Sequence, residues 1–186
     1  DTFIVRNAAT QIVEGAGQGT ADRVAAGVSF TLAADDDIEV LSTTLFTGTE
    51  AITLIGNARA QRITGNAGEN RLNGGAGNDT LTGGAGADDF VFSTPLGAGN
   101  VDVIADFAPG IDDILLVSGI FGAIGPSLGA GEFRIGAAVD PNDFLLYDPV
   151  SGALTYDSNG SGLGGAAQIA RLAPGLALTL GDFQIV

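Results

Sequence analysis

Cysteine, histidine, lysine, methionine and tryptophan are all absent from the 186 residues of this chain. Without cysteine there are neither disulfides nor thiol chemistry, so stability has to come from a packed core and from any bound metal. Without histidine there is no imidazole base, no Ser-His-Asp arrangement and no H-E-x-x-H zinc helix. Basic residues are scarce: 7 arginines stand against 22 acidic residues, a formal net charge of −15. Nucleic acid and anionic membrane surfaces call for a basic patch, which this composition does not supply. Such an excess of negative charge repels itself in a compact state, and bound divalent cations relieve that repulsion. No apolar run reaches membrane-spanning length. At 45% hydrophobic residues the chain can bury a core in one or two domains.

What the chain has in abundance is glycine, 30 residues of it, and its placement is ordered. Two adjacent nine-residue units, Gly74-Gly75-Ala76-Gly77-Asn78-Asp79-Thr80-Leu81-Thr82 and Gly83-Gly84-Ala85-Gly86-Ala87-Asp88-Asp89-Phe90-Val91, share the pattern G-G-x-G-x-D-x-U-x, with U large and apolar. The glycines permit positive φ and leave carbonyl oxygens unobstructed. A turn of this kind ending in aspartate offers carbonyls and a carboxylate, the hard oxygen ligands that Ca²⁺ prefers. The x-U-x that follows is a very short strand with one large side chain on one face. Alone it buries almost nothing, so the unit makes sense only as a stacked array.

The array continues upstream with decay. Residues 65–73 keep the frame with Asn70 at the aspartate position, and residues 56–64 keep only Gly56 and the apolar Ile63. Counted in nines, the apolar position reads Leu45, Leu54, Ile63, Leu72, Leu81 and Phe90. A Gly/Asn-rich linker is the competing reading, but a linker has no reason to repeat a bulky residue at that interval.

The nonapeptides resemble the calcium-binding repeats of RTX proteins, and the chain is similar to the C-terminal β-roll module of serralysin-like proteins. That resemblance implies an all-β fold: a parallel β-roll of calcium-binding nonapeptides with flanking β-strands and a C-terminal β-rich cap. In such a roll two nonapeptides make one turn, and each Ca²⁺ lies between loops eighteen residues apart. The resemblance implies that loop 83–88 supplies Asp88, Gly84 and Gly86 against Gly65, Ala67 and Glu69. It likewise implies that loop 74–79 supplies Asp79, Gly75 and Gly77 against Gly56, Ala58 and Ala60. The outer faces, Gly74-Ala76-Asn78 and Gly83-Ala85-Ala87, would take ligands from residues 93–106. There Asp102-Val103-Ile104-Ala105-Asp106-Phe107 places two carboxylates on one side of a strand, and it is similar to the segment that closes RTX repeats. Two to four ions follow from this count. Loss of the carboxylate at Gln61 and Asn70, and the charges of Arg59 and Arg62, weaken the expected affinity.

Three regions follow: a β flank or spacer over 1–46, the roll with its closing segment over 47–107, and the cap over 108–186. Asp1-Thr2-Phe3-Ile4-Val5 resembles Asp88-Asp89-Phe90-Val91-Phe92, which predicts that the chain opens inside a repeat. Val28–Leu32 alternates like a half-buried strand. The glycine cluster at 15–19 lacks the lysine of a phosphate loop and the spacing of a dinucleotide fingerprint. Asp35-Asp36-Asp37 and Glu39 read as a solvated turn before a strand at Ile38–Leu41, with an extra calcium site as the sharper alternative. In the cap, Ile111–Val117 is a strand candidate, and Phe144–Asp148 with Ala153–Asp157 form a hairpin across Pro149–Gly152. Phe121, Phe133, Phe144 and Phe183 are core candidates. Asp157–Gly162 mimics the opening of an EF-hand loop, but position twelve is Gln168, so a turn between strands is preferred. The final Asp182-Phe183-Gln184-Ile185-Val186 resembles the C-terminal signal of proteins exported by type I secretion.

No catalytic constellation stands out. A carboxylate-only hydrolase is formally open because acidic pairs abound, yet nothing raises one pair above another. The expected function is therefore non-enzymatic: a monomeric module that folds on calcium outside the cell and supports type I secretion and stability of an upstream domain. The expected partners are calcium, the secretion apparatus and that upstream domain of the same polypeptide, with no nucleic acid and no transmembrane segment. Rival readings are a calcium-stiffened adhesin or surface-layer spacer, or the tail of a secreted hydrolase.

Overall fold

The protein is described by a computed structural model covering residues 1–12, 14, 19 and 21–186. The glycine cluster at 15–19 falls outside the described residues except for Gly19. The first half of the chain forms β1 (Thr2–Val5), β2 (Arg23–Ala26), β3 (Phe30–Thr31), β4 (Val40–Thr43), β5 (Thr53–Ile55), β6 (Arg62–Thr64), β7 (Arg71–Asn73), β8 (Thr80–Thr82) and β9 (Asp89–Phe92). The second half adds β10 (Asp102–Ile104), β11 (Asp113–Leu116), β12 (Phe133–Ile135), β13 (Leu145–Tyr147), β14 (Ala153–Asp157), β15 (Ala166–Arg171) and β16 (Phe183–Ile185). Among the described residues the only helical turn is a 3₁₀ turn at Leu180–Asp182.

The strands wind into a parallel β-solenoid of about five turns. Successive rungs fall alternately in two sheets, ordered β1-β2-β4-β6-β8-β10 and β3-β5-β7-β9-β11-β16. The repeat strands are only three residues long, with the central residue buried and its neighbours half-exposed or exposed. Stacking turns those single residues into two apolar ladders. One runs Val24, Leu41, Ile63, Leu81, Ile104; the other runs Phe30, Leu54, Leu72, Phe90, Ile114, Phe183. All eleven are buried, each contributing about 1.5–3 kcal/mol by leaving water.

The ladder departs from a strict count of nines at one point. Leu45 is 61% exposed, and Leu41 takes the rung instead. The connection from β4 to β5 is longer than a nonapeptide allows, so twenty-two residues separate Leu41 from Ile63 against eighteen from Ile63 to Leu81. The expected strand at Ile38–Leu41 begins at Val40, and Ile38 is a buried anchor ahead of it.

Beyond β10 the first sheet continues through β15-β14-β13-β12. β13 and β14 form the expected antiparallel hairpin, and β14 pairs antiparallel with β15. Asp157 accepts the Asn159 N–H at 3.1 Å in the β14–β15 connection, which runs as a turn between the two strands. Phe121 and Phe183 are buried, while Phe133 and Phe144 are half-buried against the same core. Both tyrosines are core residues as well. Tyr147 donates its hydroxyl to the Ala173 carbonyl at 2.7 Å, and Tyr156 accepts the Ala123 N–H at 2.9 Å and packs edge-on against Phe121. β16 lies beside β11 as the last rung of the second sheet, so Phe183 is packed into the ladder.

Candidate metal centre

The loops between the two sheets stack along two edges of the solenoid. On one edge loop 74–79 sits over loop 56–61; on the other loop 83–88 sits over loop 65–70. The contact is close: the Gln61 N–H donates to Asp79 Oδ1 at 2.6 Å, and the Asn70 N–H donates to Asp88 Oδ1 at 2.8 Å. One carboxylate oxygen is thus fixed by the preceding turn. Asp79 Oδ2 is left buried with no hydrogen-bond partner, an arrangement that costs free energy unless a cation or donor meets it. A Cβ added to Gly74 would lie 2.2 Å from that oxygen, and one added to Gly83 would lie 2.3 Å from Asp88 Oδ2. Glycine keeps that cradle clear.

The same relation recurs one turn further on. The Asp79 N–H donates to Asp102 Oδ1 at 3.0 Å, and the Asp88 N–H donates to Asp112 Oδ1 at 3.0 Å. Asp112 was not among the candidates read from sequence, although Asp112-Asp113-Ile114 repeats the order of Asp88-Asp89-Phe90. Asp106 is engaged differently, its two oxygens accepting the Gly83 and Gly84 N–H groups, both at 2.9 Å. Asp102 and Asp106 therefore serve opposite edges, not one side of a strand, because β10 runs from one edge to the other. Residues 93–101 also cover loop 74–79, where Thr94 donates to the Gly75 carbonyl at 2.7 Å and Val101 N–H donates to Asn78 Oδ1 at 2.8 Å.

Burial dominates the electrostatics of these carboxylates. It pushes Asp79 up to about 7, against the Gln61 hydrogen bond that lowers it and with the nearby Asp102 charge raising it further. Asp88 and Asp102 are each pushed up to about 6 for the same first reason, and burial raises Asp112 as well. Carboxylates held in that state welcome a divalent cation, which replaces the solvation they have lost.

The two lower loops are built differently. Gln61 and Asn70 turn back on the asparagine four residues earlier: Gln61 Nε2 donates to Asn57 Oδ1 at 2.6 Å, and Asn70 Nδ2 donates to Asn66 Oδ1 at 2.9 Å. Arg59 does not crowd loop 74–79, because its guanidinium pairs with Asp37 of the preceding turn at 2.8 Å.

Residues 55–90 match the RTX calcium-binding nonapeptide repeat, in four copies. The chain thus carries RTX repeats wound into a β-solenoid, and RTX repeats bind Ca²⁺. The matched span contains both stacked loop pairs and stops short of Asp102, Asp106 and Asp112. No curated protein matches the chain. The buried, unpartnered Asp79 oxygen and the glycine cradles around both aspartates fit the ion that RTX repeats take: all donors are hard oxygens, with no nitrogen or sulfur ligand nearby.

Proposed function

We propose that this chain is a calcium-driven folding module of a secreted protein, and that four ions complete its RTX roll. Asp79 with the Gly75 and Gly77 carbonyls would face the Gly56, Ala58 and Ala60 carbonyls. Asp88 with the Gly84 and Gly86 carbonyls would face those of Gly65, Ala67 and Glu69. Asp102 would close the outer face Gly74-Ala76-Asn78, and Asp106 with Asp112 would close Gly83-Ala85-Ala87. The ion supplies charge neutralisation; the chain supplies the cradle.

The observation that carries this reading is the buried Asp79 carboxylate whose second oxygen has no partner. In the unfolded chain that group is hydrated, so folding without metal strips water from both oxygens and returns a hydrogen bond to only one of them. Glycine-rich loops add a large entropy cost. Calcium binding to the folded form alone then draws the chain into the roll by mass action. Extracellular calcium modules work at about 10⁻⁴–10⁻³ M, which would leave the chain unfolded in the cytosol and folded outside. The Asp182–Val186 tail would act as an export signal before folding and as the last rung after it, the register of β16 on β11 supporting the second role. An upstream domain of the same polypeptide would be stabilised by the completed roll.

The test is far-UV circular dichroism through a calcium titration that starts in chelator, with magnesium as control. A cooperative gain of β signal near millimolar calcium, absent with magnesium, is expected. A chain fully folded in chelator, with no further change on adding calcium, would refute the switch.

A further inference from the structure

We infer that the chain holds an additional calcium site outside its RTX repeats, formed by the carboxylates of Glu14, Asp22 and Asp1. Strand register aligns Asp22 with Glu39, Gln61, Asp79 and Asp102, each two residues ahead of its buried ladder residue in the first sheet. Asp22-Arg23-Val24 therefore occupies the place of Asp79-Thr80-Leu81, with Val24 in the ladder as Leu81 is.

The likeness extends to the carboxylate itself. Asp22 is 2% exposed, and its Oδ2 is buried with no hydrogen-bond partner, the same condition as Asp79 Oδ2. A Cβ added to Gly19 would lie 2.2 Å from Asp22 Oδ2, the distance found for Gly74 and Asp79 Oδ2. Asp22 Oδ1 is taken by the Asp1 nitrogen, and the Asp22 N–H donates to Glu39 Oε2 at 2.7 Å, so the backbone relation seen in the repeats is also reproduced.

What replaces the second loop of a repeat is Glu14, itself 6% exposed. One ligand atom from each of Asp1, Glu14 and Asp22 lies within 4.8 Å of the others, close enough for one ion to touch all three. The Asp1 ammonium, paired with Asp22 Oδ1, offsets part of their charge, and the nearest arginine on the strand adds nothing: Arg23 donates to Ser42 Oγ at 3.1 and 2.9 Å and lies over the Phe46 ring. Three carboxylates at this spacing, one with a buried unmatched oxygen, call for a hard divalent cation. No nonapeptide contains Glu14, so the repeat pattern does not predict this site.

The site shares no ligand with loops 56–61, 65–70, 74–79 and 83–88, so it stands or falls separately from them. Equilibrium dialysis of the 186-residue chain would count bound Ca²⁺ in the unsubstituted protein and in Glu14→Gln, with circular dichroism to follow folding. Glu14 lies outside every strand, so the expected result is an unchanged folding transition with one fewer ion per chain. A full complement of ions in Glu14→Gln overturns the inference. Should that variant not fold, crystals of the unsubstituted chain soaked in Gd³⁺ decide the matter by anomalous scattering. A peak between Glu14 and Asp22 supports the site, and peaks confined to the 74–88 loops overturn it.

Discussion

Loops 56–61 and 65–70 and loops 74–79 and 83–88 occupy equivalent places in one solenoid, yet they are held by different chemistry. In the first pair the second-position asparagine closes its own turn: Asn57 Oδ1 accepts the Arg59 N–H at 3.0 Å, and Asn66 Oδ1 accepts the Gly68 N–H at 2.7 Å. The same asparagines reach one turn back, Asn57 Nδ2 to the Ala33 and Asp36 carbonyls and Asn66 Nδ2 to the Glu50 carbonyl. In the second pair both asparagines are replaced by glycine. The backbone there passes through positive φ at Gly75, Gly77, Gly84 and Gly86, a conformation that none of the residues in the first pair adopts. Toward the preceding turn the amide loops are tied by their own hydrogen bonds, with only Asn70 Oδ1 left buried and unpartnered; the carboxylate loops await an ion there. The lesson is that decay of the motif in the first two copies substitutes hydrogen bonds to the preceding turn for an ion on that side, while the loop carbonyls still face the carboxylate loop above.

Removing the awaited ligand's anchor should break that contrast most severely. The double substitution Asp79→Ala, Asp88→Ala takes both charges out of the carboxylate loops and leaves the side-chain locks of the amide loops in place, although the Gln61 and Asn70 N–H groups lose their acceptors. The calcium-induced gain of β signal should vanish, or its midpoint should move by tenfold or more. A titration curve superimposable on the unsubstituted one would show that these loops close without an ion.

Protons should act as a weaker substitute for calcium, on the carboxylate loops alone. Burial raises Asp79 to about 7 and Asp88 and Asp102 to about 6 in the folded chain, above the ordinary carboxylate value of 3.8. The folded state therefore binds protons more tightly than the unfolded one. In chelator this stabilisation is complete below about pH 4 and is lost as pH rises through 6–7. Acidification from pH 8 to 5 in chelator should thus raise the thermal midpoint. In saturating calcium the trend should reverse, because the ion requires the deprotonated carboxylates, and binding near pH 6.5 should release protons into the buffer. Thermal melts at both calcium levels check the first statement, and calorimetry in two buffers of different ionisation enthalpy checks the second. The amide loops contain no titrating group at the equivalent positions.

How much of this contrast was readable beforehand depends on period. The roll was legible where the repeat is eighteen residues per turn, from Leu54 to Phe90, since a fixed interval needs no knowledge of contacts. It failed at Leu45, where a longer connection shifts the frame and Leu41 fills the rung. Asp112 went unread because it follows an insertion, although its D-D-U order was in plain sight. The amide locks were also visible, as Asn57 four residues before Gln61 and Asn66 four before Asn70, but a motif defined by its aspartate registers them only as loss. Hydrogen bonds that reach between turns cannot be counted from one strand's sequence, which is why the substitute chemistry emerges only in three dimensions.

Weakening an amide lock should cost less than removing the carboxylates and should be indifferent to calcium. Asn57→Ala strands the Arg59 N–H, Gln61 Nε2 and the Ala33 and Asp36 carbonyls in one step. Loss of such buried partners costs about 1–3 kcal/mol. Urea denaturation should give that loss equally at low and high saturating calcium, with the number of bound ions unchanged. A cost that shrinks as calcium rises would mean that an ion also lies between this loop and the turn before it.

The smallest effect belongs to the charge that the composition made suspicious. Arg59 carries a positive charge on the edge where calcium loops stack, which argues for weaker binding between loops 56–61 and 74–79. Its guanidinium instead meets Asp37, with the arginine side chain 43% exposed and the aspartate 15%. A pair whose arginine stays in solvent contributes about 0–1 kcal/mol, and less at high salt. Neutralised by Asp37 on the preceding turn, it adds little field at Asp79. Arg59→Ala should therefore lower stability by less than about 1 kcal/mol, leave the calcium midpoint within twofold of its original value, and lose even that effect in high salt. A clearly tighter calcium midpoint would place the arginine charge at the ion after all, and would show that the amide loop imposes an electrostatic penalty on the carboxylate loop above it.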